Sequence, residues 1–139
     1  MAPNNNQRHQ RITRLVTQRR DLVAQVSIDL WQRLASELVS IIGEGGFQSL
    51  FSRSVQLTSL AYPWIAPVHV WLPAKAQFPD LQASLAEHEF IEASEASVSL
   101  LVTFSDVLAA LIGDTLTNSI LTSAWGDEAP GVSDKEVPI

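Results

Sequence analysis

The sequence contains no cysteine. That absence excludes disulfides, thiolate zinc sites and cysteine nucleophiles together. Charge is sparse: 17% of the 139 residues are charged and 46% are hydrophobic, the balance of a globular domain rather than a disordered chain. At this length one domain can bury a core without staples. The opening "MAPNNNQRHQ" has no apolar stretch of the secretory kind, and a cytoplasmic setting is the expectation. No uninterrupted membrane span is expected either. The longest apolar run, "SVSLLVTFSDVLAALIG", carries Ser99, Thr103, Ser105 and Asp106, and reads as a buried core helix.

Acids are missing from the first twenty residues, which hold Arg8, Arg11, Arg14, Arg19 and Arg20. Beyond them four basic residues face fifteen acidic ones, within a net charge of −6. These five arginines are candidates for an anionic surface or nucleic acid, although no aromatic residue interrupts them for base stacking. The alternative is that the basic arm leans on its own acidic body. Residues 1–20 are therefore read as a basic N-terminal extension with helical character. A bundle domain follows over 21–125, then an acidic, disordered tail over 126–139.

Glycine and proline are absent from Gln7 to Ile42. In that stretch Leu22, Val26, Leu30, Leu34, Leu38 and Ile41 recur at three- and four-residue spacing, the period of an amphipathic helix. Gly43 ends it and a second helix runs on through Phe47, Leu50, Phe51 and Val55. Further helices are expected over "DLQASLAEHEF", over "IEASEASVSLLVTFSDVLAALIG", and after Gly113 as far as Trp125. Between them lies "YPWIAPVHVWLPAKAQFPD", whose four prolines stop any helix from persisting. The fold class is all-α: a bundle of four to five helices with a proline-rich, aromatic, non-helical connector over 62–79.

The glycines of "SIIGEGGFQSLFSRS" raise the question of a phosphate cradle. A Walker loop needs Lys and Ser or Thr after its last glycine, and here Phe47 and Gln48 follow Gly46. The dinucleotide fingerprint also fails, with a helix pattern where a strand should precede it. Setting Gly43 against Gly113 places Leu38 on Leu108, Ile42 on Ile112, Glu44 on Asp114 and Ser49 on Ser119. The stretch is a helix–turn–helix corner used twice, with an acid placed to cap the following helix.

No catalytic constellation assembles from the remaining residues. His9 is expected to stay solvated in the arm. His88 sits among Glu87, Glu89, Glu92 and Glu95 without a Glu-x-x-His partner motif, so no metal is assigned. Those acids also oppose docking of an acidic phosphodonor. There is no Gly-x-Ser-x-Gly elbow. No cofactor is implied, and the chain is read as a non-enzymatic interaction or regulatory module. Large aromatics on an irregular segment suit interface anchors, which makes Trp64, Ile65, Trp71 and Leu72 the candidates for a homodimer or protein-partner surface. The second reading is a small-ligand sensor or carrier, with an apolar pocket lined by Phe47, Phe51, His69 and Phe104.

Overall fold

The structure, a computed structural model, describes residues 5–18, 22–65 and 81–126. Among them every regular element is helical: α1 (Asn5–Thr17), α2 (Val23–Thr58), a 3-10 turn at Pro63–Ile65, α3 (81–86), α4 (Phe90–Ile112) and α5 (Asp114–Trp125). The protein is a small all-α bundle. The expected connector residues Trp71 and Leu72, together with His69, lie outside the described residues. So do Arg19, Arg20 and all of the expected tail beyond Gly126.

α2 is a helical hairpin rather than a rod. In a straight helix, residues twenty apart would stand about 30 Å from each other. The rings of Trp31 and Phe51 instead meet edge-on with centroids 4.9 Å apart. The reversal occurs at Gly43, where φ is 84° and ψ is 165°. Only glycine occupies that region without strain, because a Cβ would be driven against the neighbouring carbonyl. Gly113 repeats the conformation with φ 93° and ψ 157°, turning α4 into α5.

The halves then pack along one another. Ser27 bonds Ser97, and four residues on Trp31 meets Phe104, so α4 runs in the same direction as the first half of α2. The indole Nε1 of Trp125 donates to the Leu30 carbonyl at 2.9 Å, tying the end of α5 to the start of α2. Both Gly corners therefore sit at one end of the bundle. α1 runs antiparallel to α4, with Arg8 beside Ser105 and Thr17 near Ser94 and Glu95.

The core is an aromatic cluster. Trp31 contacts Phe47, Phe51 and Phe104 in edge-on geometry, and Phe47 stacks on Phe51 at 5.9 Å. Each such pair adds on the order of 1 kcal/mol beyond the area it buries. Around it lie Leu34, Leu38, Leu100, Leu101 and Leu108. Ile12 and Val16 of α1 are fully buried in the same cluster. The basic segment thus contributes to the packed body, because its apolar stripe finds a seat on α4. α4 is long and apolar enough to cross a membrane by length and composition; here its Ser94, Ser97, Leu100, Leu101, Phe104 and Ser105 are buried against other helices.

Candidate interaction surface

The arginine segment turns inward. Arg8 has a side chain 1% exposed and reaches three oxygens at once. Its Nη2 donates to Asp106 Oδ1 at 3.0 Å, Nη1 to Asp114 Oδ1 at 3.1 Å, and Nε to Ser105 Oγ at 3.3 Å. A planar guanidinium suits such a set, since its donors fan out in one plane. His9 joins the same carboxylate, with Nε2 3.0 Å from Asp106 Oδ1. It keeps 36% of its side chain exposed, as expected of a residue in the arm, while α1 lays the rest against α4. Arg11 bonds Thr122 at 3.2 Å and the Gly126 carbonyl. Arg14 remains exposed. Arg8 and Arg11 are therefore engaged by the acidic body and the end of α5 rather than held out towards solvent.

The pairing adds to the role expected of the acids after the glycines. Asp114 stands in the first turn of α5 and its carboxylate also accepts from Arg8. Glu44 accepts from Gln48 at 3.3 Å.

The connector begins as an anchor. Ile65 is fully buried in the core and so unavailable as a surface contact, whereas Trp64 is half-buried. The Trp64 indole stacks on His88 with centroids 3.7 Å apart and an interplanar angle of 19°. Nδ1 of His88 lies 2.9 Å from the Ser84 carbonyl, which fixes the ring beneath the indole and assigns that nitrogen its proton. Sequence reading set Trp64 and His88 apart, because nothing local joins positions 24 residues distant.

Large apolar side chains stand close in sequence to both members of the stack. Leu60, four residues before Trp64, is 82% exposed, and Ile91, three residues after His88, is 65% exposed; Leu57 is exposed one turn before Leu60. Tyr62 lines a cleft with Ser94, Glu95 and Val98, which brings the end of α2 against the start of α4. The candidates for a ligand pocket are placed differently. Phe47, Phe51 and Phe104 are fully buried and close on Trp31, filling the space they enclose. Clefts among the described residues are lined by other side chains, one of them by Leu22, Gln25, Gln82, Leu85 and His88. Among the described residues no group of three His, Asp or Glu side chains is placed to hold a metal ion.

Compared with known protein families, with characterised proteins and with solved structures, the chain matches none.

Proposed function

We propose that the chain is a non-enzymatic interaction module of the cytoplasm. It pairs with a second copy or another protein through the apolar surface where the connector leaves α2. The observation that carries this reading is the exposure of Leu60 and Ile91, which flank in sequence the half-buried Trp64 and the His88 it stacks on. Isolated exposed leucines are ordinary, but large apolar groups exposed on both segments that meet at one stack favour association. Trp64 is a rigid centre for such a surface, since the stack on His88 orders its ring before any partner arrives.

Native mass spectrometry tests the self-pairing form. The expected result is a species at twice the 15.2 kDa chain mass that carries no additional small mass. Replacing Leu60 and Ile91 together with serine should return it to monomer with the helical signal unchanged. A wild-type chain that stays monomeric at all working concentrations would exclude the homodimer. An added small mass lost on denaturation would instead favour a carrier.

A further inference from the structure

Two halves of the chain share one burial register. Setting each residue of Val23–Val55 against the one seventy positions later, every buried residue of the first half meets a buried residue of the second except Ile28. Its counterpart Val98 is half-buried, and nowhere does a buried position fall on an exposed one. Exposed positions correspond as well: Ile41 at 57% and Leu111 at 67% stand two residues before their respective glycines. Few identities accompany this: Ser27, Leu30, Leu38, Ile42, Gly43 and Ser49 recur. The backbone corresponds more closely than the side chains, since Gly43 and Gly113 share a conformation that only glycine adopts readily. In the preceding helices the register slips by one residue: Ile12 and Val16, buried in α1, match the buried Leu81 and Leu85 of α3 sixty-nine positions on.

The relation is one of symmetry as well as likeness. Ser27 Oγ and Ser97 Oγ, themselves counterparts, lie 2.5 Å apart. Counterparts touch where a two-fold axis passes between them, as at the centre of an isologous dimer. The crossed contacts are reciprocal: Phe47 of the first hairpin meets Phe104 of the second, while Trp125 of the second meets Leu30 of the first. We infer that the chain is an internal dimer: two copies of one three-helix unit, related by a pseudo-two-fold axis that passes between Ser27 and Ser97. The surface on which such units pair is consumed within the chain. The inference stands apart from the proposed function, and it means that a second copy must use another face.

Symmetry also specifies a contact. Trp31 against Phe104 has as its mirror Leu34 against Leu101, since 31 corresponds to 101 and 104 to 34. Side-chain volume alternates across the axis, with Trp31 opposite Leu101 in the register and Phe104 opposite Leu34. That is how a duplicated unit can keep its backbone while its two core faces come to interlock.

Cysteine pairs in the full-length chain provide the test, because no native cysteine competes. Ser27→Cys with Ser97→Cys, treated with oxidised glutathione, should form a disulfide within one chain, read as the loss of two hydrogens at monomer mass. Asp29→Cys with Ser99→Cys, equally seventy apart but on outer faces, should not close within the chain. A folded Ser27/Ser97 pair that stays reduced, or that links two chains, overturns the internal dimer. Should the variants fail to fold, methyl NOEs in the native protein decide it: a Leu34–Leu101 cross-peak is expected, and its absence overturns the mirror contact.

Discussion

The half of the molecule around Gly43 and the half around Gly113 have the same skeleton and different fillings. The first supplies Trp31, Phe47 and Phe51 to the core; at the corresponding places the second supplies Leu101, Thr117 and Leu121. The bulk is returned where Phe104 and Trp125 stand against Leu34 and Val55. The corners differ in charge chemistry too. Asp114 is bound to the buried Arg8, whereas Glu44 accepts from Gln48 one turn along its own helix. Backbone geometry and burial pattern are thus the invariant part of the unit. Side-chain identity is free to change wherever a partner across the axis changes with it.

Substitutions at corresponding positions can break that comparison. The largest effect is expected at the aromatic cluster. Trp31→Ala should cost about 3–5 kcal/mol of unfolding free energy, and Leu101→Ala, its smaller counterpart, about 2–4 kcal/mol. Denaturant titration of both would show whether the two fillings differ as their volumes do. Equal losses would mean that the cavities collapse to a common size.

Next come the corners. Gly43→Ala and Gly113→Ala should each cost on the order of 1–3 kcal/mol, because both glycines hold the same glycine-only conformation. Beyond the adjoining residues no atom lies within 4 Å of an added Cβ at either site, so the cost is one of local backbone strain and should be nearly equal at the two. Thermal unfolding of the pair measures it. A loss at one corner alone would break the equivalence.

The charge cluster should separate the corners. Changing Asp106 and Asp114 together to alanine strips two acceptors from the Arg8 guanidinium, whose side chain is 1% exposed in the native fold. A fully buried pair broken in this way costs about 3–5 kcal/mol, and the half-exposed carboxylates here should bring that to about 2 kcal/mol. Ser36→Ala, at the exposed position that matches Asp106, should change stability by less than about 0.5 kcal/mol.

The smallest effect has the opposite sign. Thr117 corresponds to Phe47 and is fully buried, and its hydroxyl has no hydrogen-bond partner among the described residues. Thr117→Val keeps the shape and removes the orphaned group, which should stabilise the protein by about 1 kcal/mol. A destabilised valine variant would show that the hydroxyl is satisfied after all.

Helix type, the two glycine corners and the seventy-residue correspondence were all legible in the chain. They depend on local matters: a three-to-four spacing of Leu30, Leu34 and Leu38, and a glycine where no other residue turns easily. Arg8 was not legible as a core residue. Its sequence neighbours are polar, and its acceptors lie 97 to 106 residues away. The same holds for Ile65, which looked like a surface anchor amid prolines and instead plugs the core.

By itself, then, the sequence determined where the helices run, where they turn back and which stripe of each is apolar. Periodicity and glycine conformation are properties of short stretches, and they need no partner to act. Tertiary structure alone decided that the basic helix docks on the acidic body, that Trp64 stacks on His88, and that Ser27 meets Ser97 across an axis. Each of those joins groups far apart in the chain, and only the burial of a shared core brings them within bonding distance.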